Sequence, residues 1–276
     1  MTNQTFYMSL FPQEIKCSDW VDLHNAIEAL GGADPYQWLF RGHVEASWGL
    51  IPLIERECEL RRLLPTELRL YDEFRSKAHL YTTQVPPVED VVGWLSTMQH
   101  HGVPTRLLDW SYSAYVALFF ACERAGEEES AALWAIHTER LSTKSHELAA
   151  DMFGIPLDAV FESPERFNRI AFPHAFEGTS TGLVIPILPR FRVSRLSSQQ
   201  GCFLLNCNYL ATFEESVAAM MKDVSSDWLY RIVFPSSLRI ECLKRLMHFN
   251  IHPASLYPDL EGLAKFLTLK NTLFPV

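Results

Sequence analysis

The side chains best suited to chemistry lie in one stretch, residues 98–111, which reads Met-Gln-His-His-Gly-Val-Pro-Thr-Arg-Leu-Leu-Asp-Trp-Ser. Two histidines, an arginine and an aspartate stand here between a segment with helical periodicity and a strongly apolar one. Histidine can serve as an acid, a base or a metal ligand near neutral pH. Arginine binds phosphates and carboxylates through a rigid fork of donors. This mixture is typical of a functional site, and we predict that the function lies here.

His100 and His101 end the first of these segments. Adjacent residues of a helix point about 100° apart, so the two rings are poorly placed to share one metal ion. A metal site would need His101 together with Asp109, and no third ligand follows at a typical spacing. We therefore expect no metal. Stabilisation of the helix C-terminus by one of the histidines is the structural alternative.

Arg106 and Asp109 fall on a short strand predicted at 105–110. Side chains alternate along a strand, so these two point to opposite faces and are not expected to pair with each other. Asp109 can instead orient Arg41 or a histidine. A purely structural buried salt bridge is the alternative to a catalytic role.

Arg41 and Gly42 end an aromatic strand predicted at 36–41. The guanidinium at this place can bind a phosphate or the carboxylate of a neighbouring residue. The glycine allows a ligand or another backbone to come close. A structural ion pair is the other interpretation of the arginine.

Two later groups of polar residues are weaker candidates. Gln199-Gln200-Gly201 precedes a strand, where carboxamides can bind a ligand, although such sequences are also common in plain turns. Asp259 and Glu261 stand near the start of a terminal helix, where stabilising the helix terminus explains at least one of them. The sequence has no Gly-x-x-x-x-Gly-Lys, Gly-x-Gly-x-x-Gly or Gly-x-Ser-x-Gly motif, which argues against P-loop, Rossmann and hydrolase-elbow mechanisms.

The elements that must position these residues follow from hydrophobic periodicity and from breaks at glycine and proline. The predicted helices are 18–30, 53–64, 66–81 behind Pro65, 89–101, 113–124, 139–170 with interruptions at Gly154 and Pro156, 214–221, 237–249 and 258–269. The predicted strands are 36–41, 105–110, 131–136, 181–188, one ending at 206, and 228–234. Residues 1–17 are predicted to be irregular. No repeat or linker is visible, so one α+β domain over 1–276 is expected.

Composition limits the possible classes. The 276 residues are 48% hydrophobic, enough for a full core, and the net charge of −9 opposes non-specific attraction to nucleic acids or anionic membranes. A local patch at Arg190, Arg192 and Arg195 could still meet a phosphate. The longest apolar run, 114–122, is too short to cross a bilayer. Six scattered cysteines without a Cys-x-x-Cys pair and a start without a secretory signal predict a soluble, cytoplasmic protein.

Several of these motifs together resemble the FRG domain family, which is named for its Phe-Arg-Gly motif. The resemblance rests on Phe40-Arg-Gly42, Trp48-x-Leu-x-Pro52 with Arg56, the long motif from Gln99 to Trp110, Ala117-Leu-Phe-Phe-Ala121, Gln199-Gln-Gly-x-Phe203 and Leu256-Tyr-Pro-Asp-Leu-Glu-Gly262. It covers residues 36–266. It implies a bacterial or phage domain and does not by itself name an activity.

The order of elements is also similar to that of ADP-ribosyltransferases. Both have an aromatic-Arg-Gly sequence at the end of a first strand, a glycine followed by a short strand and a helix, and a late acidic residue. The resemblance implies a mixed or antiparallel sheet flanked by helices, split as in that fold. It also implies that the first-strand arginine binds NAD and that a late glutamate polarises the ribose.

The leading hypothesis is an ADP-ribosyltransferase-like transferase that uses NAD or a related nucleotide, as a toxin or phage-defence effector acting on an unidentified acceptor macromolecule, with no membrane partner. The predicted nucleotide-binding residues are Arg41, Gly42, His100, Thr105, Arg106, Gln199 and Gln200. The predicted catalytic residues are Arg41, His101, Asp109 and Glu261. The alternatives are a metal-dependent hydrolase or nuclease using His100, His101 and Asp109, and a non-catalytic ligand-sensing or interaction module. The leading hypothesis requires that the distant motifs converge on one cavity.

Overall fold

A mixed sheet of seven strands forms the centre of the molecule, in the order β1-β7-β4-β2-β3-β6-β5. The computed structural model describes residues 12–31, 34–124, 126, 128–154, 179, 182–188 and 194–275. The strands are β1 (Gln13–Lys16), β2 (Trp38–His43), β3 (Leu107–Ser111), β4 (Ser130–His137), β5 (Val184–Ile187), β6 (Gly201–Asn206) and β7 (Leu229–Pro235). Only the β1–β7 pairing is parallel, and the other pairings are antiparallel.

Helices cover both faces of the sheet. They are α1 (Trp20–Gly31), α2 (Leu53–Glu57), α3 (Leu60–Ala78), α4 (Val91–His100), α5 (Ala114–Cys122), α6 (Thr138–Phe153), α7 (Ser194–Ser198), α8 (Phe213–Met221), α9 (Arg239–His248), α10 (Pro253–Leu256) and α11 (Leu260–Leu273). One hydrophobic core packs α3, α4, α6 and α8 against the sheet, and a second core packs α1, α5, α9 and α10. The prediction of an α+β fold with a mixed sheet between helices is confirmed. No helix in the described part of the chain has the length and apolar character to cross a membrane.

The prediction that residues 1–17 are irregular is wrong for the last part of this segment. Gln13–Lys16 forms strand β1, which pairs with β7 from Gln13 opposite Tyr230 to Lys16 opposite Val233. Three of its four side chains are exposed, so the strand shows no alternation of apolar residues in the sequence. Main-chain hydrogen bonding to an existing sheet edge is sufficient to form it. Residues 1–11 lie outside the described ones.

Pro65 does not separate two helices at the predicted place. The first helix ends at Glu57, and α3 begins at Leu60 and runs through the proline. Pro65 is the sixth residue of α3, close enough to its start that few intrahelical hydrogen bonds precede it. The helix predicted at 139–170 is α6, which ends where Gly154 adopts a φ of +62°. Pro156 and the residues after it up to 178 lie outside the described part.

Helix α4 delivers the histidines of the central motif. Asp90 caps its first turn by accepting a hydrogen bond of 2.9 Å from the Gly93 amide. His101 is the C-terminal cap, and Gly102 then reverses the chain with a φ of +81°. The glycine is needed there because other residues rarely adopt a positive φ. The helix start, the helix end and the short strand after them were all predictable from these residues.

Gly42 lets strand β2 approach helix α5. A Cβ atom at this position would lie 1.9 Å from the Ala117 carbonyl oxygen and 2.6 Å from the Ala121 amide nitrogen. Both are backbone atoms, which cannot rotate away. Of the two explanations that the sequence left open, the close approach of another backbone therefore accounts for this glycine.

The junction between β2 and β3 is the weakest in the middle of the sheet. The two strands share one residue pair, Phe40 with Ser111, whereas β2 shares six with β4 and β3 shares five with β6. The strands belong to a single sheet, and they separate beyond Phe40. This opening lies beside the Arg41-Gly42 pair and defines the place of the candidate site.

Candidate functional site

A cavity of about 280 Å³ occupies the opening between β2 and β3. Strands β2, β3 and β6 and helices α4, α5 and α7 contribute to its wall. The polar side chains of the wall belong to Arg41, Ser96, Gln99, His100, Asp109, Ser111, Arg195 and Gln199. We call this space the inner cavity.

Arg41 lines the inner cavity, and its side chain is half-buried. Its Nη1 atom donates a 2.7 Å hydrogen bond to the main-chain oxygen of Asp109, and its Nε atom donates to His43 Nε2 at 3.1 Å. Within the described residues, neither of these partners is a carboxylate. Burial lowers the pKa of the guanidinium, and the nearby charge of Asp109 opposes this effect. A desolvated cation without a directly bonded counterion is suited to binding an anion.

His43 holds the Arg41 side chain without adding a second charge. It is buried, and burial together with the positive charge of Arg41 lowers its pKa to about 3. The ring is therefore neutral at pH 7. Nε2 accepts from Arg41 Nε at 3.1 Å, and Nδ1 lies 3.0 Å from the Trp48 main-chain oxygen and 3.2 Å from the indole nitrogen of Trp134. His43 is thus a positioning residue for the guanidinium.

Two polar side chains, those of Thr105 and Gln99, orient the carboxylate of Asp109. The Thr105 hydroxyl donates to Gln99 Oε1, and Gln99 Nε2 donates to Asp109 Oδ2 at 2.7 Å. Thr105 is buried behind Gln99 and does not line the cavity. Asp109 itself is exposed at the cavity wall, so its other carboxylate oxygen can meet a ligand. Thr105 acts on the site through Gln99.

Two buried donors in the cavity wall have no hydrogen-bond partner within the part of the chain that the structure describes. They are the Ser96 hydroxyl and the Trp110 indole nitrogen, and each residue is only 3% exposed. An indole N–H can only donate, and a buried donor without a partner is energetically costly. Together with Arg41, these groups suit a ligand that is rich in hydrogen-bond acceptors.

The two adjacent histidines face different spaces. His100 lines the inner cavity, and burial, with the positive charge of Arg195, lowers its pKa, so its imidazole is neutral near pH 7 and can accept a proton. His101 lines an apolar groove of about 510 Å³ between α3 and α4. Their ring centroids lie 4.8 Å apart. Among the residues that the structure describes, no group of three His, Cys, Asp or Glu side chains is arranged to hold a metal ion.

Arg106 is part of the fold and not of the cavity. Its guanidinium is fully buried and forms an ion pair of 2.6 Å with Glu67 of α3, which also accepts from the Arg106 amide at 2.7 Å. The structural salt bridge that the sequence left as an alternative therefore involves Arg106, and Asp109 is not its partner. The nucleotide contact predicted for Arg106 has no support in this geometry.

The late motifs contribute one polar residue, Gln199, and one apolar residue, Phe203, to the inner cavity. Gln199 lines it and donates to the Leu256 main-chain oxygen at 3.2 Å. Gln200 has a φ of +47° and an exposed side chain that lines no described cavity. Glu261 lies on α11, where it pairs with Lys265 at 2.9 Å, away from the inner cavity. Asp259 caps the same helix by accepting from Gly262 at 2.7 Å.

The predicted site is thus partly assembled. The structure brings together Arg41, Gly42, His100, Asp109 and Gln199. It places outside the inner cavity His101, Thr105, Arg106, Gln200 and Glu261. Sequence reasoning missed Ser96, Trp110 and Phe120. Ser96 had a detectable signal, because it precedes Gln99 and His100 by three and four residues and therefore shares their helix face.

A second space, the outer chamber, adjoins the inner cavity and measures about 990 Å³. Arg41, Gly42 and Phe120 line both spaces, so the Arg41 side chain lies at the boundary between them. Arg56 and Glu261 line only the outer chamber. A ligand at Arg41 can therefore extend into either space.

Helix α2, which carries Arg56, is held in place by the neighbouring Glu55. Both carboxylate oxygens of Glu55 lie within about 3 Å of the Phe213 amide, at 3.0 and 3.1 Å, where α8 begins. Burial raises the pKa of Glu55 to about 7, although these hydrogen bonds act in the opposite direction. Glu55 therefore titrates in the physiological range.

We expect the stability of the protein to fall as the pH rises from about 4.5 to about 7 because of Glu55. In this interval the folded state binds more protons at Glu55 than the unfolded state does. The free energy of unfolding therefore falls by at most about 3 kcal/mol across the interval. Chemical unfolding at successive pH values measures it. Glu55→Gln should flatten this part of the profile, and Glu57→Gln on the same short helix should not. An unchanged slope in Glu55→Gln would contradict the assignment.

The comparison with known families agrees with the motifs. Residues 36–130, about one third of the chain, match the sequence profile of the FRG domain. The chain contains an FRG domain. The FRG match runs from β2 through α5 to the first residue of β4 and includes Arg41, Ser96, Gln99, His100 and Asp109. It is shorter than the predicted range of 36–266. No curated protein and no solved structure gives a significant match to the chain.

Proposed function

We propose that this FRG protein is an ADP-ribosyltransferase-like enzyme that uses NAD or a related nucleotide. The observation that carries the proposal is Arg41, a half-buried cation at an opening in the sheet that bonds only to uncharged groups among the described residues. A guanidinium in this environment is suited to a pyrophosphate, which can accept from its free N–H groups. The resemblance to ADP-ribosyltransferases, which the sequence suggested from the Phe-Arg-Gly motif, points to the same role, although Arg41 is the fourth residue of β2 and the strand β1 precedes it.

The inner cavity suits the small end of such a nucleotide. Ser96 and Trp110 line it and carry donors without a partner among the described residues, and we propose that these donors bind the oxygen of a carboxamide, as found in nicotinamide. A cavity of about 280 Å³ can hold one aromatic ring with its amide, but not a whole dinucleotide. The pyrophosphate would then lie at Arg41, and the other nucleoside would extend into the outer chamber.

Transfer requires one bond to break and one to form. The glycosidic bond between the ribose C1′ and the nicotinamide nitrogen breaks, and its electron pair leaves with neutral nicotinamide. A nucleophile of the acceptor forms the new bond to C1′ and gives its proton to a base. Asp109 is best placed to stabilise the positive charge that develops on the ribose, because Gln99 orients its carboxylate at the wall. His100, neutral near pH 7, is the proposed base.

Sequence reasoning assigned the stabilisation of the ribose to a late acidic residue, Glu261, and the geometry favours Asp109 instead. Glu261 pairs with Lys265 in the outer chamber, whereas Asp109 faces the inner cavity. We therefore propose that Asp109 has the role first given to Glu261.

Release of nicotinamide tests the function. Purified protein incubated with NAD and with protein or nucleic-acid acceptors should release nicotinamide, measured by chromatography. Asp109→Asn should retain NAD binding and release nicotinamide at least about 100-fold more slowly, because it removes one charge at the reacting centre. A wild type that binds NAD and releases none with any acceptor would contradict the transferase and favour a ligand-sensing module. The structural role of Arg106 at the centre of the motif is the observation that favours this rival.

The biological setting is also a proposal. A transferase that consumes NAD would suit a toxin or a phage-defence effector, as the family resemblance suggests. We propose the cytoplasm as its location, since NAD is available there and the six cysteines include no Cys-x-x-Cys pair.

A further inference from the structure

Three arginines in the outer chamber have no carboxylate partner among the described residues. Arg41 bonds to His43 and to a main-chain oxygen, Arg124 lies 5.6 Å over the Trp48 ring, and Arg56 is exposed. All three line the same space. The charge of Arg56 also contributes to lowering the pKa of Arg41 and of His43, so these groups lie close enough to repel one another.

The acidic groups of the chamber are engaged elsewhere. Glu123 accepts from the Tyr257 hydroxyl at 2.9 and 3.0 Å, and Glu261 pairs with Lys265. Arg239, on the same wall, donates to the Glu123 main-chain oxygen, and its buried Nε atom has no partner among the residues that the structure describes. The chamber therefore carries more positive charge than its own side chains compensate, in a protein whose net charge is −9.

We propose that the outer chamber binds a phosphate monoester through Arg56 and Arg124, so that the preferred nucleotide carries a phosphate in addition to its pyrophosphate. This inference rests on the proposed function, which places the pyrophosphate at Arg41. A phosphate monoester carries a charge of about −1.5 to −2 at neutral pH and matches the planar fork of arginine. The volume of about 990 Å³ is sufficient for a phosphorylated nucleoside.

A small ligand fits these observations better than a nucleic acid strand. The uncompensated arginines are confined to one chamber, and the net charge of −9 would repel a long polyanion from the rest of the surface. Trp48 is only 37% exposed, and Arg124 already covers one face of its ring. It therefore offers little room for the successive stacking of bases that single-stranded nucleic acids use.

The test compares the dissociation constants of NAD and NADP, which differ by one phosphate monoester, by titration calorimetry. Wild type should bind NADP about 10-fold to 100-fold more tightly than NAD, the range that one charge-assisted contact supplies. In Arg56→Ala and in Arg124→Ala this ratio should fall toward one. Arg61→Ala, which removes an exposed arginine paired with Glu59 outside the chamber, is the matched control and should keep the wild-type ratio.

The possible outcomes separate this inference from the proposed function. Equal binding of NAD and NADP by the wild type would overturn the phosphate site and leave a nucleotide-binding protein. Binding of neither would overturn both. A single-stranded oligonucleotide that binds more tightly than NADP, with affinity lost in Arg56→Ala, would replace the small ligand by a nucleic acid. If an alanine variant does not fold, Arg56→Lys and Arg124→Lys replace it, since lysine keeps the charge but lacks the planar fork. The preference for NADP over NAD should then fall below that of the wild type and remain above one.

Discussion

Replacing Glu67 with glutamine is expected to lower the free energy of unfolding by about 3 to 5 kcal/mol, the usual cost of removing one member of a buried ion pair. The Arg106 and Glu67 side chains are both fully buried, and Glu67 Oε2 lies 2.6 Å from Arg106 Nε. Without the carboxylate, the guanidinium remains charged in a low-dielectric environment because the pKa of arginine is too high for it to lose its proton. The arginine of the central motif is therefore expected to stabilise the fold strongly.

Urea unfolding followed by circular dichroism measures this change. Glu73→Gln is the matched control, because Glu73 lies on the same helix and forms an exposed pair with Lys77 at 2.6 Å. Because that pair is exposed to solvent, its removal should change the stability far less than removal of the buried pair does. If Glu67→Gln lost no more stability than Glu73→Gln, the buried pair would not have the structural importance assigned to it here.

Arg41→Ala is expected to weaken NAD binding by about 100-fold or more. The side chain supplies a charged fork to the proposed pyrophosphate, and the loss of two charge-assisted hydrogen bonds accounts for this factor. Arg41→Lys keeps the charge but cannot bind in a bidentate manner, so we expect an intermediate loss of about 10-fold. Calorimetric titration with NAD gives both values.

The control for this prediction is Arg231→Ala. Arg231 lies on β7 in register with Arg41, because Trp134 of β4 pairs with Arg41 of β2 on one side and with Arg231 on the other. Its guanidinium pairs with Glu14 at 2.5 Å and lines neither the inner cavity nor the outer chamber. NAD affinity should therefore be unchanged. Unaltered NAD affinity in a folded Arg41→Ala protein would contradict the central role of Arg41.

Much of the fold could be predicted because its central elements have strong local signals. The apolar run at 114–122 identified α5, and Asp90 with Gly102 marked the two ends of α4. Strand β1 could not be predicted, since Gln13–Lys16 is mostly exposed and exists only through its pairing with β7. The helix boundary at Pro65 was misplaced because proline is tolerated in the early turns of a helix as well as at its first position.

The candidate site was less predictable, since it depends on directions that the sequence does not specify. His100 and His101 are neighbours in the chain, yet one lines the inner cavity and the other an apolar groove. The partner of Arg106 is Glu67, 39 residues away, which no spacing rule identifies. The Trp110 indole gave no polar signal at all, because in a sequence tryptophan is first counted as an apolar residue.

The single residue pair between β2 and β3 gives Arg41 a mechanical role in addition to an electrostatic one. Its Nη1 bond to the Asp109 carbonyl spans the gap where main-chain hydrogen bonds between the two strands are missing. An anion that competes for Nη1 would therefore also compete with a contact that joins β2 to β3, so binding at Arg41 would weaken the link between the two strands.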